Sequence, residues 1–366
     1  MIPSARALGA LAACFGLLSA LPARADRHDQ STGSAPQFSL SQGLTFNNNI
    51  TLLASDVNFG PAALARDDII GTLRLDAAER VGHARFNYAF TRAHFFKNDD
   101  LHYFDHYFRG SYEAPGKGAS FYRVSLDYNK FDPDHHVQPD PQTGFPFTTT
   151  EIPNRRVYNA VINQELAPKD QLQIQAVDQS LRFENNPVLD NTAHGGLVRY
   201  TRLFSKATNA FVEAGTNTKR YQNISGDFGA PASLRTPQDS QGVGVSHVPS
   251  ERFGSVLKFN RINQSANIAD FVLDQWDLSW ITAYTPGGGP TLVLTTQRSR
   301  RAFPLRPVAD GSPQDDHELL ANLSSSWRLD RGVRAIVSLT YDRNHSNNTE
   351  FDYVNRIAAV EVRESF

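Results

Sequence analysis

The chain has 366 residues, with 36 Lys and Arg against 38 Asp and Glu and a formal net charge of -2. That balance gives no footprint for nucleic acid, and the cation type is skewed, with 29 Arg and 7 Lys. The sole cysteine is Cys14 and the sole methionine is Met1.

The first predicted element is a signal peptide over 1–25. Arg6 supplies a positive start, Ala7 to Leu21 an apolar stretch, and Ala23-Arg24-Ala25 an A-x-A cleavage site before Asp26. Leu11-Ala12-Ala13-Cys14 also fits a lipoprotein signal, but leaves a core at the short end of the usual ~7–15 apolar residues. Cleavage after Ala25 would remove both sulfur-containing residues, so no thiol chemistry is expected of the mature chain. A short periplasmic segment over 26–36 is expected next, then one β-structure over 37–366. No segment after residue 25 approaches the ~18 consecutive apolar residues of a membrane helix.

From there the pattern has a period of two. Ala84, Phe86, Tyr88 and Phe90 alternate with Arg85, Asn87, Ala89 and Thr91. Tyr122, Val124, Leu126 and Tyr128 alternate with Arg123, Ser125, Asp127 and Asn129. Trp276, Leu278, Trp280 and Tyr284 oppose Asp277 and Ser279, and Val333, Ala335, Val337, Leu339 and Tyr341 oppose Arg334, Ser338 and Asp342. At the end, Ala358, Val360, Val362 and Phe366 alternate with Ala359, Glu361, Arg363 and Ser365, with Glu364 interrupting the apolar face. Such alternation belongs to strands with one face in an apolar medium. No segment has a convincing helical period.

The connections fall into two kinds that alternate along the chain. Short ones are expected near 77–82, 113–119, 166–171, 205–209, 248–252, 285–290 and 329–333. Mostly longer polar ones are expected at 47–67, 97–101, 132–153, 184–195, 221–240, 262–271, 302–316 and 343–354. They separate sixteen strands. Soluble sandwiches have no reason to sort loop length by end, whereas outer-membrane barrels have short periplasmic turns and longer outer loops. The predicted fold class is therefore an all-β transmembrane antiparallel β-barrel in a Gram-negative outer membrane. A barrel shows lipid only alternate residues, so a negative mean hydropathy does not argue against it. Tyr112, Tyr122, Trp280, Tyr284 and Trp327 lie near short turns, as expected of an interfacial aromatic girdle.

A sixteen-stranded barrel leaves a lumen that side chains do not fill. The alternation points Arg74, Arg85, Asp105, Arg109, Arg123, Asp127, Arg199, Lys258, Asp277 and Arg334 inward, with Gln171, Gln173 and Gln175 as a glutamine row. Guanidinium forks suit carboxylates and amides suit sugar hydroxyls, so this wall fits a hydrated, hydroxyl-rich or anionic solute. A polar wall is equally what any hydrated lumen requires. Among those side chains seven cations oppose Asp105, Asp127 and Asp277, which predicts weak anion selectivity.

The third outer connection carries Asp132, Asp134, His135, His136 and Asp140, but adjacent histidines in a proline-rich run fix no ligand geometry, so no metal is expected. The same loop is a candidate to fold inward and narrow the pore. His345 and Ser346 beside Asp342 and Asn344 are read as consecutive loop residues that cannot assemble a triad. No catalytic residue, enzyme activity or cofactor is expected.

Both ends of the chain resemble a known family. The stretch from Tyr341 to Phe366 places Tyr341, Arg343, Ser346, Asn347, Asp352, Tyr353 and Phe366 as in the closing strand pair of EpsL-type outer-membrane barrels, which accompany exopolysaccharide biosynthesis operons. The region from Gly43 to Glu113 is similar to that family's first four strands, through Asp68, Arg85-Phe86 and Leu101–Phe104. VGHARF replaces the usual Gln-Arg-Phe run, and Glu364 stands where an aromatic is commoner. The resemblance implies passage or export of an extracellular polysaccharide, with outer-membrane lipid, the polymer or small hydrophilic solutes, and periplasmic export components as partners. Phe366 looks like the terminal signature by which the barrel assembly machinery recognises its clients. A general diffusion porin, and a non-conducting scaffold or enzyme acting on surface polymer, remain alternatives.

Overall fold

A computed structural model describes residues 34–48, 68–96, 103–133, 154–182, 190–221, 234–330 and 332–366. The segment 1–25 expected to be a signal peptide, most of the first outer connection and residues 134–153 of the third lie outside the described residues. Among those described, sixteen strands form one closed antiparallel sheet in which every strand pairs with its neighbours in sequence.

In chain order they are β1 (Ser34–Asn47), β2 (Asp68–Val81), β3 (Ala84–Phe95), β4 (Tyr103–Pro115), β5 (Phe121–Pro133), β6 (Asn154–Ala167), β7 (Asp170–Arg182) and β8 (Asn191–Leu203). They continue as β9 (Thr208–Tyr221), β10 (Leu234–Ser250), β11 (Phe253–Gln264), β12 (Leu273–Tyr284), β13 (Thr291–Pro307), β14 (Pro313–Asp330), β15 (Val333–Ser346) and β16 (Tyr353–Ser365). The first strand begins at Ser34 rather than at 37.

Closure is made by β1 against β16, in register from Ser39 opposite Ser365 to Asn47 opposite Ile357. The Phe366 amide donates to the Phe38 carbonyl at 2.9 Å, so this residue is tied to β1 rather than frayed. Closure leaves no sheet edge, which matters in a bilayer because an unpaired N–H or C=O finds no water there.

The distribution of apolar groups is inverted relative to a soluble domain. Leu73, Phe86, Val124, Ile174, Leu257, Leu323, Leu339 and Val360 are all exposed. The compact apolar cluster is small: Ala93 and Phe95, with Ile70 and Tyr103 against it. Direct antiparallel partners share a face, so register sorts each strand into an apolar outer face and a polar inner one. Tyr112, Tyr122, Trp280, Tyr284 and Trp327 all point outward.

The turns at one end are short. β2 and β3 are joined by Gly82-His83 alone, and Gly82 has φ +57, a left-handed conformation that favours glycine. Gly332, between β14 and β15, has φ +83, and a Cβ there would come within 2.6 Å of the Ser365 carbonyl oxygen.

At the other end several expected loops are shorter than the sequence suggests. β8 begins at Asn191 and β10 at Leu234, inside the predicted loops 184–195 and 221–240. The predicted loop 302–316 is mostly strand: β13 runs to Pro307 and β14 starts at Pro313. Only Val308–Ser312 connects them, with the Asp310 carboxylate accepting from the Ser312 amide at 2.8 Å and hydroxyl at 2.6 Å. The reason is length. A strand crosses a bilayer in ~9–11 residues, whereas β10, β13 and β14 have 17, 17 and 18. Their polar ends project beyond the hydrocarbon and read as loop. Two short 3-10 turns, Ala269–Phe271 and Thr349–Phe351, sit in other connections at this end.

Candidate pore-lining site

Register decides which side chains share the lumen. Arg74 lies between the outward Leu73 and Leu75, and is paired with Ser41 and Thr91. The same parity turns Arg85, Asp105, Arg109, Arg123, Asp127, Arg199, Lys258, Asp277 and Arg334 inward. Gln171, Gln173 and Gln175 follow on β7, opposite Glu165, Asn163 and Val161. The inner wall is not uniformly polar, since Val157, Val161, Phe211 and Val256 also lie on it and are buried.

On the wall from β2 to β6 three of the inward cations, Arg74, Arg109 and Arg123, meet a carboxylate. The Arg74 guanidinium donates through Nε (2.9 Å) and Nη2 (2.8 Å) to Asp76 Oδ1, two residues on along the same face. Arg109 Nε lies 3.1 Å from Asp127 Oδ1, which also accepts the Tyr107 hydroxyl at 2.6 Å. Arg123 donates to Glu113 Oε2 through Nε at 2.7 Å and lies over the Phe121 ring. These groups are half open to the lumen, so each pair fixes side-chain direction more than it adds stability, ~0–1 kcal/mol apiece.

The wall from β8 to β11 holds a tighter cluster. Glu213 on β9 has a side chain only 3% exposed. It accepts Arg199 through Nε (2.8 Å) and Nη2 (2.7 Å), and Lys258 Nζ at 2.5 Å. The Arg199 guanidinium also sits 4.6 Å from the centroid of the buried Phe211 ring, a cation–π contact. Room for this comes from β10. A Cβ at Gly242 would lie 3.0 Å from Glu213, and one at Gly244 only 2.3 Å from Phe211. One carboxylate thus serves two cations.

Asp277 accepts from Gln275 at 2.8 Å, and Gln175 donates to Asn159 at 3.1 Å. Arg85 and Arg334 have no carboxylate at ion-pair distance among the described residues. The expected set of seven cations and three anions is incomplete, since Arg155, Arg328 and Arg363 also face inward. Asp76, Glu113 and Glu213 also face inward and neutralise cations that sequence reading counted as free. The Arg74–Asp76 spacing was legible as two residues on one face; Glu213 needed the register of β8 to β11.

Near the long-connection end a second polar cluster is buried. Asp316 and Gln314 are inaccessible; Asp316 accepts from Ser346 at 2.6 Å and from Gln314 at 2.9 Å, and Arg301 pairs with Glu318. Ser346 and His345 are thus on strand β15, not in a loop, and on opposite faces. Ser346 points inward to Asp316, while His345 Nδ1 lies 3.2 Å from Asp352 on the outer side. Among the described residues no cluster of three or more metal-ligating side chains is found. Asp134, His135, His136 and Asp140 lie outside them, as does the part of that loop expected to narrow the pore.

No family model and no curated protein matches this chain. Solved structures do match its fold. OpdK of Pseudomonas aeruginosa with vanillate aligns at TM-score 0.51 and 10% identity, covering 90% of this chain and 99% of that one. The outer-membrane channel DcaP of Acinetobacter baumannii aligns at TM-score 0.48 and 10% identity, over 92% and 99%. OmpT of Vibrio cholerae, an outer-membrane protein, aligns at 0.45 and 11%, over 91% and 98%. The fold is that of an outer-membrane β-barrel.

Proposed function

We propose that this chain is a pore of the Gram-negative outer membrane that passes a hydrophilic, acid-bearing polysaccharide, and that it acts by conduction rather than catalysis. The observation that carries the reading is the lumen wall. Guanidinium groups, carboxylates and a row of glutamines line it, held in place by cross-strand pairing, behind an outer face that is apolar. Barrels of about sixteen strands leave a water-filled channel, so these groups meet solute rather than one another's hydrocarbon. Amides and hydroxyls along the wall exchange hydrogen bonds with a sugar chain, and guanidinium forks meet its carboxylates in two-point fashion. The likeness of the Tyr341–Phe366 stretch to EpsL-type barrels supports assigning the passage to exopolysaccharide biosynthesis. In that reading the short turns face the periplasm, where polysaccharide-export components supply the polymer.

Planar-bilayer recording of the purified barrel tests it. Steady conductance that an acidic polysaccharide blocks in a length-dependent way supports the reading. Conductance indifferent to polymer indicates a general diffusion porin, and no conductance at all a scaffold or enzyme. Glycosyltransferase genes beside its own would independently favour export.

A further inference from the structure

Cross-strand register brings together a set of arginines that the sequence does not place side by side. Arg328 on β14 is directly opposite Arg334 on β15, which is opposite Arg363 on β16. Arg363 is opposite Ser41 on β1, and Ser41 opposite Arg74 on β2. All five face the lumen. Direct partners in an antiparallel sheet have Cβ atoms about 5 Å apart, and like charges set so close are destabilising. Carboxylates relieve only part of this. Arg363 pairs with Glu361 at 2.9 Å and Arg74 with Asp76 at 2.8 Å. Arg328 and Arg334 are exposed and have no carboxylate at ion-pair distance among the described residues.

The row is also inclined. Arg334 is the second residue of β15, beside the short turns, whereas Arg74 is the seventh of β2, at mid-wall. Strand stagger in a closed barrel turns a straight cross-strand row into a rising track.

We propose that this row, Arg328–Arg334–Arg363–Ser41–Arg74, is a binding track for a polysaccharide that bears a carboxylate on successive sugars, engaged from the short-turn mouth. Two features select that ligand class. Arg328, Arg334 and Arg363 are each one strand apart, close to the length of one pyranose unit. Successive carboxylates therefore meet the open forks of Arg328 and Arg334 first, and then Arg363 and Arg74, whose forks also hold Glu361 and Asp76. The forks are planar two-point donors that suit carboxylates and phosphates alike, so it is the sugar-length spacing that disfavours the closer-set charges of polyphosphate. Ser41, between Arg363 and Arg74, is buried and serves only as a spacer between the two cations. The proposal rests on the pore reading only for the supply of polymer, because binding is measured apart from conduction.

The test uses the full chain, folded in detergent and checked by heat-modifiable migration. Calorimetric titration compares oligogalacturonate with neutral dextran of equal length and with polyphosphate of equal charge. Oligogalacturonate is expected to bind, dextran not to, and polyphosphate at least about tenfold more weakly. Replacing both Arg328→Gln and Arg334→Gln is expected to weaken oligogalacturonate binding about tenfold or more, and Arg328→Lys with Arg334→Lys to recover only part of it. Arg298→Gln, on the outer face of β13, should change nothing. Should the glutamine pair fail to fold, the lysine pair alone decides: unchanged affinity overturns the fork argument. Equal binding of dextran or polyphosphate, or full binding by the glutamine pair, also overturns the proposal. A barrel that conducts but binds no oligogalacturonate defeats the track and spares the pore. One that binds but does not conduct does the reverse.

Discussion

Replacing Glu213 by Gln removes a single charge from between Arg199 and Lys258 without changing side-chain size. The carboxylate accepts three donor atoms within 2.8 Å, two from Arg199 and one from Lys258. A hydrogen bond to a charged group contributes about 1.5–3 kcal/mol, and removing one member of a buried ion pair costs about 3–5 kcal/mol. The Arg199 and Lys258 side chains keep 13% and 19% exposure. Lumen water therefore rehydrates part of the charge left behind, which puts the expected loss at the low end, about 3 kcal/mol. The glutamine amide also turns a donor toward one of the cations. Equilibrium urea unfolding in lipid vesicles measures the loss. Arg199→Gln alone and with Glu213→Gln completes a cycle, and contact through one carboxylate predicts a coupling of at least about 1 kcal/mol. The same change raises lumen charge by one, so reversal potentials in a salt gradient should shift toward anion selectivity. A Glu213→Gln barrel within about 0.5 kcal/mol of the parent, with additive behaviour in the cycle, would refute the idea that this cluster organises the wall.

Two further outcomes follow from the same geometry. Gly244→Ala puts a Cβ 2.3 Å from the Phe211 ring and 2.9 Å from the Leu257 carbonyl oxygen. Overpacking of this kind costs about 1–3 kcal/mol, more than the ~0.4–1 kcal/mol that Gly→Ala gains through the unfolded chain. Net destabilisation in vesicle unfolding is expected, and a more stable variant would contradict the packing. In the turn Val308–Ser312, hydrogen bonds from Ser312 hold the Asp310 carboxyl below its ordinary pKa. A lowered folded-state pKa contributes stability above the unfolded value and loses it as pH falls through the folded one. Amide-exchange protection of Ser312 should be constant above about pH 4 and fall below it, and Asp310→Asn should remove that dependence. Protection that rises on acidification would reverse the sign and reject the capping role.

What the sequence determined by itself is the face of each residue. A strand has a side-chain period of two, so Phe86 and Arg85, or Val124 and Arg123, are assigned to opposite sides as soon as the segment reads as strand. Sixteen such segments, with short connections alternating with longer ones, sufficed for the closed barrel. The loop boundaries at 302–316 escaped because β13 and β14 continue past the hydrocarbon, where no apolar face is required and the alternation fades. Cross-strand partners could not be read at all. Sliding a strand by one residue exchanges its faces, but sliding it by two preserves every face and changes every neighbour. Arg199 was therefore legible as inward, while its meeting with Glu213 and Lys258 was not. The same holds for the row from Arg328 to Arg74, in which four arginines on four strands become neighbours only when closure fixes the register of β14 through β2. Periodicity is a local property of the chain. Register is set by turns, by stagger around the barrel and by the fit of side chains such as Phe211 into space left by Gly244, and only the tertiary structure decides it.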